Sequence, residues 1–527
     1  MKKAKKINRR QFLHSTAGLG AALAIPVTTG CSTSAGATAK NQKPLPADIT
    51  ELTASQLSVA IKQRQVSCTE VVQAYLKRID RYNPVYNAIV SMPDQEHLIS
   101  QAAAADKALA KGEYRGWMHG MPHAVKDLAD VKGLPTIGGS PLFVGTTAKK
   151  DSIFVERIRR QGAIFIGKTN VPEFGLGSQS YNPVFGATRC AYNPALTAGG
   201  SSGGAATGMA THMLPVADGS DMMGSLRNPA AFNNVIGFRP SRGRVPKGEA
   251  DLFFQQLGYS GPMGRTVEDT IRLLGTMSGY DSRAPMSLRD HVKPFERVTV
   301  KQLSEYKLGW MGNYDGYLSM EPGLLDLNAQ ALKQLASNGA VVEDCKPDYD
   351  MARLWQTWLT LRHWTVCGGL KALYDDQRAR PHLKPELVWE IEGGLNLSGL
   401  DVSAASRARS DWYLALHKLF SQYDFLVLPT TQLFPFSADL HWPKAINGKP
   451  MDTYHRWMEV VIGGTLSGCP VVNLPAGFDE QGRPAGLQFI GPVGEDSKLL
   501  GFALAYEASV NHLATRPVLK ESGQHAA

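Results

Sequence analysis

Ser225 lies in the stretch GSDMMGSLRNPAAF, residues 219–232, where small and mostly uncharged residues allow a backbone to lie close to a substrate. A serine hydroxyl is a weak nucleophile until a neighbouring base removes its proton. The usual base is histidine, and the nearest one in the sequence is His212, which no spacing rule connects to Ser225. A nucleophilic Ser225 therefore requires a base from another part of the chain.

Three short patterns match known motifs only in part. Residues 162–169, GAIFIGKT, fit the phosphate-loop expression, but AIFI predicts a strand where that motif needs exposed backbone amides. Residues 304–307, SEYK, fit the S-x-x-K of penicillin-interacting enzymes, but no K-T-G or S-D-N accompanies them. Residues 199–203, GGSSG, fit the nucleophile elbow of Ser-His-Asp hydrolases and would make Ser201 the nucleophile, yet YNPALTA before them is a poor strand. We adopt none of these three interpretations.

The glycine- and serine-rich region is more informative as one unit. From Thr197 it reads TAGGSSGGAATGMATHMLPVADGSDMMGSLRNPAAFNNVIGFRPS. This resembles the signature of the amidase signature family, GGSSGG followed by G-[ST]-D-x-x-G-S-[IL]-R-x-P-A-x-F. Other segments of that family follow in the expected order, namely HAVKD, GAIFIGKTNVPEFG, FLVLPTT and LSGCPVVNLPAGF with GRPAGLQFIGP. The resemblance covers the chain from about residue 50 to 510.

The resemblance implies a Ser-Ser-Lys triad. Ser225 is then the nucleophile, Ser201 the bridging serine on a cis peptide bond, and Lys126 the base. The separation of Ser201 and Ser225 matches the family spacing and favours Ser201 over Ser202, which becomes a supporting residue. Burial lowers the pKa of an ammonium group, and the mainly apolar MPHAV before Lys126 can supply that burial. Histidine bases, His123 or His212, are the alternative.

Amide cleavage also needs donors for the negative charge that develops on the carbonyl oxygen, each worth about 10²–10³ in rate. The resemblance assigns this role to four consecutive backbone amides, those of Met222, Met223, Gly224 and Ser225. Met223 stands where the family commonly has glycine, so its side chain must point away from the hole or shape the acyl pocket. Asp221 and Arg227 are interpreted as an ion pair or network that holds the loop, with binding of a substrate carboxylate by Arg227 as the alternative.

Helices and short apolar strands alternate along the chain and must position these residues. Helical periodicity is found at residues 50–65, 68–82, 101–112, 151–161, 327–339 and 406–423. Strands are predicted at residues 87–91, 163–169, 307–311, 340–344 and 425–431, and a hairpin at 470–492. The pattern predicts an α/β fold with a mixed sheet, and the resemblance implies a single large domain, residues 50–515, with a central twisted sheet covered by helices on both sides.

The amino-terminal region predicts export. Its basic start contains Arg9 and Arg10 and is followed by the apolar run AGLGAALAIPV, which is typical of a twin-arginine signal and too short to span a membrane. Cleavage is predicted near residue 30 or 37, because TTGC resembles a lipoprotein box ending at Cys31 while AGA suits ordinary signal peptidase. We expect a periplasmic or lipid-anchored protein that contacts the membrane only through Cys31. Residues 38–49 are predicted to be a linker and residues 516–527 a flexible tail.

Composition excludes several functions. The formal net charge is +9, but six of the positive charges lie in the first ten residues, so the remaining chain offers no footprint for nucleic acid. Five cysteines follow Cys31 without C-x-x-C or histidine–cysteine ligand spacing, which argues against a metal: Cys68, Cys190, Cys345, Cys367 and Cys469. No cofactor is implied, and the sequence leaves open whether the protein is a monomer or a homodimer.

These observations predict an amidase that cleaves a small-molecule carboxamide through a serine acyl-enzyme and releases ammonia or an amine. A tRNA-dependent amidotransferase A-like subunit is the nearest alternative, but an export signal contradicts it. An inactive amide- or peptide-binding lipoprotein is another, although Ser225, Ser201 and Lys126 argue against it. Aryl, aliphatic, peptide and cyclic amides all remain open as substrates. The acyl pocket is expected to draw on SQSYNPVFG, residues 178–186, and on residues 350–400.

Overall fold

Thirteen α-helices and thirteen β-strands are found in the part of the chain that this computed structural model describes, residues 44–248, 251–254, 257–289, 295 and 298–522. The helices are α1 (Ala54–Lys62), α2 (Cys68–Tyr86), α3 (Gln95–Ala110), α4 (Ile153–Arg160), α5 (Gly203–Ala210), α6 (Arg227–Phe232), α7 (Val267–Met277), α8 (Leu324–Ser337), α9 (Met351–Asp375), α10 (Pro385–Leu395), α11 (Gly399–Phe420), α12 (Ile462–Ser467) and α13 (Asp496–Ser509). The strands are β1 (Ile89–Val90), β2 (Pro122–Lys126), β3 (Ile164–Thr169), β4 (Val216–Asp221), β5 (Ile236–Arg239), β6 (Tyr259–Gly264), β7 (Lys307–Trp310), β8 (Val341–Asp344), β9 (Phe425–Pro429), β10 (Ala445–Ile446), β11 (Lys449–Pro450), β12 (Val471–Phe478) and β13 (Pro484–Ile490).

An eight-stranded mixed sheet forms the centre, with the strand order β4-β6-β5-β12-β13-β9-β7-β8. Pairing is antiparallel from β4 to β9 and parallel between β9, β7 and β8. Every residue of β5, β9 and β13 is buried, which requires cover on both faces of the sheet. The prediction of a single α/β domain with a mixed sheet flanked by helices is therefore confirmed.

A smaller sheet has the order β1-β3-β2, in which β3 pairs antiparallel with β1 and parallel with β2. Its strand β3 covers most of GAIFIGKT, and all six of its residues are buried. The phosphate-loop pattern is thus a strand, as its apolar middle predicts. Lys168 near the end of β3 is buried and forms an ion pair with Asp127 at 3.4 Å.

Most of the periodic segments form the elements that the sequence predicts. Capping boxes at Thr53, Ser67 and Ser398 start α1, α2 and α11, because each side chain accepts a hydrogen bond from the third residue of the helix. The predicted hairpin is β12–β13, closed by a turn in which Gly482 N donates to Asp479 O at 3.0 Å. Local capping and turn chemistry thus agree with the global fold at these points.

The domain boundaries differ from the predicted ones. A compact unit begins at Leu45, inside the predicted linker of residues 38–49. The prediction of a flexible tail is wrong for residues 516–522, because Lys520 N donates to the buried Tyr86 Oη at 3.0 Å and so attaches this segment to α2. The C-terminal segment belongs to the domain over this range.

Residues 1–43 lie outside the described residues, and with them the predicted export signal and Cys31. Among the helices that the structure does describe, none combines the length and apolar character needed to cross a bilayer. The five remaining cysteines are free thiols. In the same described ranges, no three histidine, cysteine or acidic side chains are grouped so that they could hold a metal ion.

Candidate active site

A buried carboxylate on β4 holds the strand that carries Lys126. Asp218 Oδ2 accepts a hydrogen bond from the backbone N–H of Lys126 at 3.2 Å. The other oxygen, Asp218 Oδ1, lies 3.0 Å from Nε2 of His123 on the same strand. All three side chains are buried, so these bonds are shielded from water and fix β2 against β4.

The amine of Lys126 lies among three oxygens. Its Nζ donates to Ser201 Oγ and Ser202 Oγ, both at 2.8 Å, and to the carbonyl of Ser220 at 3.1 Å. Burial lowers the pKa of Lys126 to about 7, although the negative charges of Asp221 and Asp218 act in the opposite direction. The amine is therefore neutral over much of the pH range above 7 and can accept a proton.

Two adjacent serines contact Lys126 at equal distances, so distance alone does not choose between them. Ser201 lines a cavity together with Lys126 and Ser225, whereas Ser202 is fully buried behind the cavity wall. The backbone N–H of Ser202 donates to the carbonyl of Ser225 at 3.3 Å. The peptide bond between Gly200 and Ser201 is cis, as the resemblance implies. Access to the cavity favours Ser201 as the residue that links Lys126 to Ser225.

Alanine substitutions distinguish the two serines. We expect Ser201→Ala to lower kcat/KM for amide hydrolysis at least about tenfold more than Ser202→Ala does, because only Ser201 can pass a proton between the cavity and Lys126. Steady-state kinetics of the two purified variants tests this. A larger loss in Ser202→Ala would assign the bridging role to Ser202.

Residues 178–186 support the serine loop and do not belong to the cavity wall. Ser178 Oγ donates to the carbonyl of Gly200, and Ser180 Oγ accepts from Gly203 N at 3.0 Å. The prediction that SQSYNPVFG lines the acyl pocket is therefore wrong, and the preceding residues, 174–177, line it instead. The hydroxyls of this segment satisfy backbone groups of the loop, which explains their position.

The loop that carries Ser225 is built around the Asp221 carboxylate at the end of β4. Asp221 Oδ1 accepts from Gly224 N at 2.9 Å, and its Oδ2 accepts from Leu226 N at 3.2 Å. Gly224 has a φ of +77°, and a Cβ there would come within 2.7 Å of the Asn228 side chain. The turn before Ser225 therefore requires glycine.

The ion pair expected between Asp221 and Arg227 is present. Arg227 Nε donates to Asp221 Oδ2 at 2.9 Å, and its Nη1 donates to Gln488 Oε1 at 2.8 Å. Arg239 also contacts Asp221, on the carboxylate and on the carbonyl. Burial would raise the pKa of Asp221, but the two guanidinium groups outweigh it and lower the pKa to about 2. Arg227 is fully buried and its donors are occupied, so the geometry favours the structural interpretation over a substrate-carboxylate role.

The predicted oxyanion donors divide into two groups. The amide of Gly224 is directed to Asp221, so its assignment to the oxyanion hole is corrected: the carboxylate beneath the turn uses this N–H. Within the described ranges, the amides of Met222, Met223 and Ser225 have no protein acceptor. These three remain available to a substrate oxygen.

A cavity of about 770 Å³ lies in front of Ser225. Helix α9 forms one wall with residues that recur at helical spacing: Arg362, Thr365, Val366, Gly369 and Leu370. The expectation that residues 350–400 contribute to the pocket therefore holds. Further apolar wall residues are Leu128, Ile153, Phe154, Phe174, Leu176, Met222, Met223, Leu252 and Met458. Met223 is thus buried in the wall of the pocket.

Neither histidine proposed as an alternative base is among the residues that line the cavity. His123 is engaged with Asp218, as described above. His212 contacts Arg265 Nη1 at 2.8 Å, and burial together with that positive charge lowers the pKa of His212 to about 2. Lys126 is the titratable base whose position matches Ser201 and Ser225.

Sequence reasoning missed three buried charged residues of this region, Asp218, Arg239 and Arg362. A signal was present for Asp218, since it is an ionisable residue inside a short strand that is otherwise apolar or small. No such signal identifies Arg362, whose position at the cavity depends on the packing of α9.

Comparisons with known proteins agree with this geometry. The family model described as Amidase matches residues 70–500. An acylamidase of Rhodococcus erythropolis is 30% identical over 464 residues, which cover 87% of this chain and 95% of the relative. The A-type component of the glutamyl-tRNA(Gln) amidotransferase of Symbiobacterium thermophilum is 30% identical, and the match covers 90% of this chain and 99% of that relative. The solved structure of a bacterial aryl acylamidase superposes with a TM-score of 0.81 at 28% identity, covering 89% of this chain and 99% of that one.

Proposed function

Because the chain belongs to the amidase signature family and is an enzyme that hydrolyses amide C–N bonds, we propose that it does so through an acyl-enzyme on Ser225. The observation that carries this proposal is the 2.8 Å contact between Lys126 Nζ and Ser201 Oγ at the edge of the cavity that contains Ser225. The base, the linking hydroxyl and the nucleophile are then arranged in the order in which the proton must move.

In the first half of the reaction, Ser225 Oγ attacks the carbonyl carbon of the amide. Its proton passes to Ser201 Oγ, while the proton of Ser201 passes to the neutral Nζ of Lys126. The C=O π electrons move onto oxygen, where the unoccupied amides of Met222, Met223 and Ser225 stabilise the charge. The intermediate then collapses, the C–N bond breaks, and the protonated Lys126 returns its proton through Ser201 to the leaving amine.

In the second half, a water molecule replaces the amine. Lys126 removes a proton from the water through Ser201, and the water oxygen attacks the acyl carbon. Collapse of the second tetrahedral intermediate breaks the bond between the acyl carbon and Ser225 Oγ and releases the carboxylic acid. No charge remains on the triad at the end of the cycle, because Lys126 returns its proton to Ser225.

The cavity favours amides with sizeable apolar groups. Its volume of about 770 Å³ accommodates a ligand of drug size, and such sites are usually lined by apolar side chains with a few polar groups. Aromatic, branched and thioether side chains form most of its wall, which matches aryl- or alkyl-bearing acyl and amine groups better than primary amides of very small acids. This agrees with the acylamidase and aryl acylamidase similarity.

A panel of amides tests the proposal. The purified enzyme is incubated with anilides, alkyl amides, peptide amides, cyclic amides and glutamine, and release of ammonia or amine is measured. We expect hydrolysis of at least one class that bears an apolar group. Exclusive use of glutamine would favour an amidotransferase-like role, and failure of every class to react would overturn the proposed activity.

We further propose that the protein is exported by the twin-arginine route, on the strength of Arg9, Arg10 and the apolar run that follows them. Replacing Arg9 and Arg10 with lysine conserves the charge but removes the arginine pair. We expect this variant to remain in the cytoplasm, and fractionation followed by immunoblotting measures it. Normal appearance of the variant outside the cytoplasm would contradict the proposed signal.

A further inference from the structure

Arg362 is a buried cation in the wall of the cavity, and the proposed hydrolysis does not use it. It lies on the face of α9 that borders the cavity, and only 4% of its side chain is exposed. Burying a charge is costly unless it is paired and hydrogen-bonded, so the partners of this guanidinium determine what it can do.

Two of the three nitrogens of Arg362 are committed to a buried network. Its Nε donates to Glu390 Oε1 at 2.5 Å, and its Nη2 donates to Tyr454 Oη at 2.6 Å. Tyr454 Oη in turn donates to Glu390 Oε1 at 2.6 Å. These residues come from α9, from α10 and from the segment before α12, so three parts of the fold hold the guanidinium in one orientation.

The third nitrogen, Nη1, is poorly satisfied. In the part of the chain that the structure describes, its acceptor is the thioether of Met222, with Nη1 and Sδ 3.2 Å apart. A thioether is a weak acceptor, so a carbonyl oxygen in that place makes a stronger bond with a guanidinium N–H. The backbone amide of the same residue, Met222, is one of the free donors proposed for the oxyanion. Nη1 therefore lies one side-chain length from the reacting carbonyl.

The charge of the network decides which oxygen it accepts. Burial raises the pKa of Glu390, but Arg362 outweighs it and holds the pKa well below its usual range, so Glu390 is ionised and neutralises Arg362. Burial raises the pKa of Tyr454 well above its usual value, and burial lowers that of His455 to about 3, so both are neutral near pH 7. A carboxylate on the ligand would bring an uncompensated buried charge, whereas a neutral oxygen would not.

We propose, on the basis of the proposed acyl-enzyme function, that Arg362 Nη1 binds a second, uncharged carbonyl oxygen of the substrate. The substrates are then amides that carry a further ketone, ester or amide carbonyl a few bonds from the scissile one, such as N-acyl amino acid amides and diamides. Arg362 is a binding residue in this proposal, and Glu390 and Tyr454 are the residues that position it.

Matched substrates test this directly. In the amide class that the panel identifies, a 4-oxopentanoyl amide is compared with the pentanoyl amide, and the same ketone-for-methylene change is made on the amine side. We expect the wild type to prefer the ketone about tenfold or more in kcat/KM in one of the two pairs, because one hydrogen bond to a charged donor is gained. Equal rates in both pairs would overturn the proposal for Arg362. Absence of hydrolysis of every member would instead count against the proposed function.

Variants then assign the preference to Arg362. The double substitution Arg362→Met with Glu390→Gln removes the donor and its counter-charge together, and we expect the ketone preference to fall to about unity. Glu390→Gln alone leaves Arg362 without its counter-charge, so the preference is expected to move towards a succinyl amide, which bears a carboxylate. Thr365→Val, on the same wall of α9, is the control and should preserve the wild-type ratio.

Each outcome of these variants is decisive. A ketone preference that persists in the double variant would assign it to another group and overturn the proposal. If the double variant does not fold, as judged by its thermal transition, Glu390→Gln still provides a test. An unchanged ratio of succinyl to 4-oxopentanoyl amide in folded Glu390→Gln would likewise overturn it.

Discussion

Alanine at position 225 abolishes amide hydrolysis in our expectation, with a loss in kcat of about 10⁴-fold or more. Without Ser225 Oγ no covalent intermediate can form, so the oxyanion donors and the cavity are left to bind the substrate without cleaving it. The same substitution removes covalent labelling by a fluorophosphonate probe, which reacts with an activated serine. Product release and intact-protein mass spectrometry measure the two effects independently.

A second serine of the cavity provides the matched control. Ser260 lies on β6 and lines the same cavity, but no contact with Lys126 or Ser201 links it to the base. We expect Ser260→Ala to be labelled at the wild-type stoichiometry and to retain activity within about tenfold, since it lacks a proton path. Labelling that persists in Ser225→Ala and disappears in another serine variant would move the nucleophile to that serine.

The strength of local signals explains which parts of the fold could be predicted. Helices α8 and α11 and the hairpin β12–β13 have clear periodicity together with caps or a glycine turn, and the sequence predicts all of them. Helices α9 and α10 are not predicted, although α9 has 25 residues. Glycine pairs inside both helices lower their intrinsic helix propensity.

The structure shows why those glycines are there. A Cβ at Gly394 on α10 would lie 2.3 Å from Cβ of Cys367 on α9. The glycines therefore allow the two helices to approach closely, which is a tertiary requirement that a local pattern interprets as a helix-breaking signal. This approach also brings Glu390 to Arg362, and so an error about helices becomes an omission at the site.

The same distinction applies to the site residues. Ser201 and Ser225 lie in contiguous segments with a characteristic order of residue types, so a resemblance can assign them roles. The contacts of Arg362 with Glu390 and Tyr454 span 28 and 92 residues, and no short pattern encodes them. The residues that a family shares are therefore accessible from the sequence, whereas the residues that select a substrate depend on how α9 and α10 pack.

Lys126 should set the pH dependence of the enzyme. Burial lowers its pKa to about 7, so the amine is protonated and inactive as a base below this pH and neutral above it. We expect kcat/KM to rise about tenfold per pH unit on the acid side and to reach a plateau above about pH 7 to 8, as for a free-enzyme base. Rates measured at substrate concentrations well below KM, over the pH range in which the fold is stable, give this profile.

Substitution of the base tests the same mechanism by a second route. Lys126→Ala should lower kcat/KM about 10²–10⁴-fold and remove the acid limb, because the group that titrates is gone. The losses from Lys126→Ala and Ser201→Ala should be strongly non-additive, with the double variant scarcely slower than Lys126→Ala, since both act in one proton path. Lys150→Ala, which removes an exposed lysine of the same cavity, should retain the wild-type acid limb.

A histidine base would give the opposite pattern. Lys126→Ala would then keep the acid limb and much of its activity, and His123→Ala or His212→Ala would remove the limb instead. The contacts argue against this outcome, because His123 is bound to Asp218 and the pKa of His212 is lowered to about 2 by burial and by Arg265. A histidine titrating that low would leave the rate independent of pH through neutrality, whereas Lys126 places the midpoint near 7. The position of the acid limb and its loss in Lys126→Ala together decide which base removes the proton of Ser225.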